Sequence, residues 1–137
     1  MKSNGVVLSL AVEDVERSLT FYRNGLGIES AQIVLGIVAV QLPGLTLFLA
    51  AGEHFAKYAR EARAEPRLPV PTATGFLSCA IETREEIDEI LRSAEAAGGE
   101  SFEPHVIDHV SGRTQYVGTV KDPDGHLWQF VCNVTPD

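Results

Sequence analysis

The chain has 137 residues, 45% of them hydrophobic and 22% charged, which is enough for one domain with a buried core and too apolar for a disordered chain. With 11 basic against 19 acidic residues the formal net charge is -8; this argues against a nucleic-acid partner, since phosphate contacts need a basic surface, and it favours a cationic ligand. The opening MKSNGVV lacks a basic segment followed by an apolar core, and the most apolar stretch, Gly36 to Ala51, is interrupted by Gln41, Pro43 and Gly44, so neither a secretory signal nor a membrane span is expected and a cytoplasmic location is.

Taken in chain order, Leu8 to Asp14 (LSLAVED) reads as a strand leading into a helix, with Val15, Leu19 and Tyr22 on one face and closure near Asn24-Gly25. Three strands follow: Ile28 to Val34, Ile37 to Leu42 and Leu45 to Ala50. Glu53 to Ala64 reads as a short helix. The proline-punctuated Glu65 to Pro71 reads as an extended link. Leu77 to Thr83 (LSCAIET) then repeats the first strand, with Leu, Ser, Ala and Glu recurring in place. Thr83 and Glu86 form a capping box, Ile87, Ile90, Leu91 and Ala94 an apolar helical stripe, and Gly98-Gly99 a stop. Ser101 to Ile107, Thr114 to Lys121 and Leu127 to Asn133 complete a second set of strands. The turn before the last of them, Asp122-Pro123-Asp124-Gly125, has the residues of a type I turn. Cys79 and Cys132 lie in strand-like apolar runs without CxxC spacing and read as buried, reduced thiols.

The repeat predicts an α+β fold, a single domain over residues 1–137 built of two βαβββ modules that form a cupped mixed sheet with helices on the outer face. Module one spans about residues 5–52, the connecting helix and linker about 53–73, and module two about 74–134. Many of the acids (Glu13, Asp14 and Glu16; Glu82, Glu85, Glu86, Asp88 and Glu89) fall in helix-like segments, where solvated faces account for them.

LAVEDVERSLTFYRNGLG (Leu10 to Gly27), together with the later DPDGHLWQF, resembles the vicinal oxygen chelate superfamily of glyoxalase I, bleomycin-resistance proteins and extradiol dioxygenases. The resemblance covers nearly the whole chain, including the repeat, and implies a homodimer. Whether the modules pair within one chain or are exchanged between two stays open. In metal-dependent members the ligands are His or Gln and Glu on the cup face of four strands, and the aligned positions here are Val7, Phe48, Phe76 and Gln129. Three are hydrocarbon, so neither a metal nor another cofactor is expected.

Strand alternation splits each repeated strand into two faces. Leu8, Leu10 and Val12 oppose Val7, Ser9 and Ala11; Leu77, Cys79 and Ile81 oppose Phe76, Ser78 and Ala80; Trp128, Phe130 and Cys132 oppose Leu127, Gln129 and Val131. The second set of each pair lines the expected cup. Phe48 and Phe76 would supply stacking faces and Ser9, Ser78 and Gln129 hydrogen bonds, with Tyr116, Gln115, His105 and His109 at the rim. The same two rings would equally serve to fill a core. His105 and His109, with Asp108 between them, form either a polar rim or a convergent site. His126 shares the parity of Trp128 and reads as structural, and His54 as exposed. No catalytic residue is identified.

The leading expectation is a metal-independent, bleomycin-resistance-like protein that binds a small organic molecule, a cationic or aromatic antibiotic or metabolite. The alternatives are a lyase, isomerase or dioxygenase with a non-standard active site around His105 and His109, and an accessory subunit with a vestigial pocket.

Overall fold

The structure is a computed structural model and describes residues 1–62 and 65–134. The LSLAVED segment forms β1 (Val7–Val12), and Asp14 then starts α1 (Val15–Thr20) by accepting the amides of Glu16 at 2.9 Å and Arg17 at 3.3 Å, two donors that a helix start leaves unpaired. A wider turn over Phe21–Gly25 continues α1, and the amide of Leu26 closes it on the carbonyl of Phe21 at 3.1 Å. The first expected strand beyond it shrinks to β2 (Gln32–Val34). The Ile28 amide turns back to the Tyr22 carbonyl at 3.0 Å and the Ala31 amide to that of Ile28 at 3.1 Å, so the intervening residues form a turn. Strands β3 (Ile37–Leu42) and β4 (Leu45–Ala51) follow.

The connecting helix α2 (Gly52–Ala59) passes into a short 3-10 turn over Arg60–Ala62; the last two residues of the helix expected there, 63 and 64, lie outside the described residues. The linker ahead of module two, expected to be extended, instead bends at Leu68-Pro69, a cis peptide, and again at Pro71-Thr72, and its Val70 amide donates to the Asp124 carbonyl at 2.8 Å. Module two then comprises β5 (Phe76–Ala80), α3 (Arg84–Ala96), β6 (Glu100–Ser101), β7 (His105–Asp108), β8 (Thr114–Lys121) and β9 (Leu127–Asn133). Thr83 caps α3 by accepting the Glu86 amide at 3.1 Å. The single strand expected over Ser101 to Ile107 is two strands, β6 and β7, because Pro104 between them has no N–H to give to a ladder.

The strands form two mixed sheets, one per module, in the orders β1-β4-β3-β2 and β5-β9-β8-β6, with β7 also paired to β8. In each, the first and last strands of the module run parallel and the other pairs antiparallel. Helix-side residues of both sheets meet α1 and α3 in one core, where Val12, Phe21, Leu47, Leu49, Ile87 and Trp128 are almost wholly buried. Helix α3 sits so close to β8 that a methyl group at Gly118 would stand 2.7 Å from Ile87, which is why glycine occupies that point of the strand. Among the described residues no helix is long and apolar enough to cross a membrane.

The Asp122–Gly125 turn ties the modules together on the helix side. Its backbone closes by the Gly125 amide on the Asp122 carbonyl at 3.0 Å. One carboxylate oxygen of Asp122 accepts the amides of Asp124 at 2.9 Å and His126 at 2.8 Å, and the other accepts the Tyr22 hydroxyl at 2.7 Å. That hydroxyl accepts the Trp128 indole N–H at 3.0 Å. Asp124, 1% exposed, accepts the Arg17 guanidinium and the Glu13 amide, both at 2.9 Å. His126 Nε2 lies 2.6 Å from the Ala11 carbonyl, which can only accept, so this nitrogen carries the proton and donates. Burial, opposed by the charge of His126 and by these hydrogen bonds, raises the Asp122 carboxyl above its ordinary value. Burial, and then the charge of Asp122, hold the Tyr22 phenol well above the usual tyrosine range.

Candidate functional site

The side of the second sheet away from the helices carries an open cavity of about 570 Å³. Its walls include Phe76 and Ser78 from β5, Gln129 from β9, Val117 from β8, and His109 and Arg113 from the hairpin between β7 and β8. The register explains the grouping. Ser78 pairs with Gln129, Gln129 with Thr119, and Val117 with Val131, so their side chains share one face. Phe76 is 57% exposed although it is a large aromatic. This ring does not fill a core in the chain.

The polar groups of the wall are held by local geometry. Gln115 donates its amide to Asn133 at 3.3 Å across the strand pair. The Ser111 amide donates to Nδ1 of His109 at 3.1 Å, which makes Nδ1 an acceptor and leaves the ring proton on Nε2. His105 pairs with Val117 and so is placed on this face by register, next to the cavity. Asp108 alternates to the other side, where it accepts the Thr114 hydroxyl at 3.2 Å. Of the two arrangements open to His105, Asp108 and His109, a polar rim or a convergent site, the convergent one is therefore not formed.

Tyr116 requires a correction. It was expected at the rim, but it alternates with Gln115 and Val117 and points to the helix side, opposite Cys132, at 6% exposure. Its hydroxyl donates to Asp88, which raises its pKa, and the Arg84 guanidinium lies 4.4 Å from its ring centre. Both cysteines are free thiols; Cys132 is buried, Cys79 half-buried, and burial raises the pKa of each.

The remaining expected site residues lie on the first sheet. Ser9 pairs with Phe48 and Val7 with Thr46 on its open face, and Val7 is 52% exposed. None of them reaches the cavity of the second sheet, whose walls all come from module two. The four positions to which the resemblance assigns metal ligands are thus divided, Val7 and Phe48 on one sheet and Phe76 and Gln129 on the other. Together they offer one amide and three hydrocarbon side chains, a set that does not fit a divalent cation. Among the described residues no group of three or more His, Cys, Asp or Glu is placed to hold a metal. Arg113 is a wall residue that sequence reasoning missed. Its signal was its place at the far end of the His109 turn, in a hairpin that carries one candidate residue at its near end.

The family model of the Glyoxalase/Bleomycin resistance protein/Dioxygenase superfamily matches residues 6–130. Among solved structures, a hypothetical protein from S. aureus is 26% identical with a TM-score of 0.76, over 96% of this chain and 94% of that one. A glyoxalase/bleomycin resistance protein from Albidiferax ferrireducens is 20% identical with a TM-score of 0.70, over 95% and 99%. A lactoylglutathione lyase from Agrobacterium tumefaciens is 21% identical with a TM-score of 0.58, over 96% and 94%. Against curated proteins the sequence finds no match.

Proposed function

We propose that this chain, which belongs to the Glyoxalase/Bleomycin resistance protein/Dioxygenase superfamily, binds a small planar organic molecule on the open face of its sheets without a metal ion. One observation carries the reading. At the positions where metal-dependent relatives are expected to place ligands, the second sheet presents an exposed phenyl ring, Phe76, beside the amide of Gln129 and the hydroxyl of Ser78, in a cavity of small-molecule size. An aromatic ring flanked by single hydrogen-bonding groups suits stacking and orientation of a ligand, and it supplies no Lewis acid. Sequestration of an antibiotic or metabolite needs only such binding.

The proposed assembly is a homodimer. Strands β1 and β5 each end a sheet and are hydrogen-bonded on one side only, and the apolar Val6, Val7 and Phe76 beside those edges are exposed. A second copy would cover these edges and bring the Val7, Ser9 and Phe48 face of one chain toward the Phe76 and Gln129 face of the other.

The reading is tested by elemental analysis of the purified protein after dialysis against a weak chelator, combined with a thermal-shift screen of planar aromatic compounds. Substoichiometric metal and a hit whose shift disappears in Phe76→Ala are expected. About one tightly bound metal per chain would overturn the metal-independent reading. Sedimentation at micromolar concentration should return a dimer; monomer alone would refute the assembly.

A further inference from the structure

Resting on the binding role proposed above for the open face, we infer that its ligand is an anion, a carboxylate borne on a planar apolar body, and that Arg113 is the residue that selects it. The chain has 19 acidic residues, yet none is among the walls of the cavity, where the ionisable side chains are Arg113 and His109. Arg113 makes no ion pair among the described residues. Its backbone is fixed: the His109 amide donates to the Arg113 carbonyl at 2.8 Å and the Gly112 amide to that of His109 at 2.9 Å, which closes the hairpin that brings Arg113 to the cavity wall. With Nδ1 of His109 occupied by the Ser111 amide, its Nε2 is a second donor from the same turn. The cavity also has apolar wall residues, Phe76, Val117 and Val131 among them, beside the neutral polar Ser78 and Gln129.

A planar guanidinium matches a carboxylate in two parallel hydrogen bonds, and a phenyl ring matches a flat hydrocarbon body. A cation in the same place would lose water and find no acid to replace it. The first sheet's open face adds none either: Val7, Ser9, Gln41, Thr46 and Phe48 are all uncharged. The net charge of -8 repels anions only at long range, and at physiological salt its reach is cut to about 8 Å, so contact chemistry at Arg113 decides the sign. The cationic ligand suggested by composition is thus replaced by an anionic one.

The test is calorimetric titration of the full chain with three probes that share one naphthyl body, at one fixed ionic strength: 2-naphthoate, 2-naphthamide and 2-naphthylmethylammonium. Naphthoate should bind about tenfold more tightly than the amide, the low end for a charged hydrogen bond because Arg113 is exposed, and the ammonium should bind most weakly. Arg113→Gln should remove that tenfold preference of naphthoate over the amide and leave the melting temperature unchanged. Binding in which the amide or ammonium equals or exceeds naphthoate would overturn the inference while leaving the binding role intact. So would a preference for naphthoate that survives in Arg113→Gln. If none of the three binds, or all bind Phe76→Ala as well as wild type, the binding role itself fails and the inference falls with it.

Discussion

Consecutive residues of β9 belong to two different chemistries. Trp128 is 1% exposed, stacks on Phe130 and donates to Tyr22, while Gln129 beside it faces an open cavity. The contrast extends over the molecule. On the helix side, Tyr22, Asp122, Asp124, Arg17 and His126 exchange hydrogen bonds between the modules; on the open side, polar groups stand with few partners beside an exposed aromatic ring. The difference shows where the recognisable motifs act. The tyrosine of LTFYRNGLG and both aspartates of DPDG hold the two modules against each other, so their presence reports assembly and says nothing of a reaction. Function has to be read from the other face.

The largest expected effect breaks the helix side. Trp128→Ala removes the largest wholly buried side chain and the donor to Tyr22, and should cost about 3 to 5 kcal/mol in urea unfolding. Protein that still folds should bind its ligand with unchanged affinity. A Trp128→Ala protein of normal stability would mean that the core is built elsewhere.

Phe76→Ala should do the reverse. The ring is 57% exposed, so its loss should change stability by less than about 1 kcal/mol, while a stacked ligand should lose about 1 to 3 kcal/mol of affinity, five- to a hundred-fold. Unfolding and titration on the same variant decide the matter. A large drop in stability with intact affinity would put this ring in the same class as Trp128 and erase the distinction between the faces.

The module order was legible in the sequence because LSLAVED and LSCAIET repeat and each leads to a capped helix, signals that depend only on neighbouring residues. Strand parity separated Trp128 from Gln129 for the same reason. Tyr116 was misplaced because the alternation of β8 gains meaning only through its register with β9, which pairs Tyr116 with Cys132. The Tyr22–Asp122 bond joins residues 100 apart, and no single-sequence pattern reports a contact that long. The division of the four aligned ligand positions between two sheets was hidden for a related reason: the repeat describes each module and is silent on how the modules are set against each other.

Tyr22→Phe probes the same network more gently. It leaves one oxygen of Asp122 and the indole N–H of Trp128 without a partner, at a cost of about 1 to 3 kcal/mol to stability and none to ligand affinity. Acid titration adds a second readout. Because Asp122 has a raised pKa in the folded chain, between its ordinary 3.8 and that raised value the folded chain holds a proton that the unfolded chain has released. The contribution of Asp122 to stability therefore improves as pH falls through that window and declines as pH rises through it. Unfolding of wild type and Asp122→Asn across this range should show the wild type gaining on the variant toward acid, and a constant difference would refute the role of burial.

The smallest effect sharpens the open face itself. Gln129 is partly exposed, lies between Ser78 and Thr119 across its two neighbouring strands, and makes no side-chain hydrogen bond among the described residues, so its amide is free for a ligand. Gln129→Leu should lower affinity by about 0.5 to 1.5 kcal/mol, the worth of one neutral hydrogen bond, and leave stability nearly unchanged. Gln129→Glu separates two explanations of that loss. A single carboxylate among hydrocarbon neighbours still supplies too few donors to take up a divalent cation, so elemental analysis should find no gain. The same carboxylate would repel an anionic ligand, and titration with 2-naphthoate should therefore show a greater loss for Glu than for Leu. Equal losses would mean that the anion lies beyond the reach of Gln129, toward the hairpin of Arg113, with the apolar body alone resting over β9.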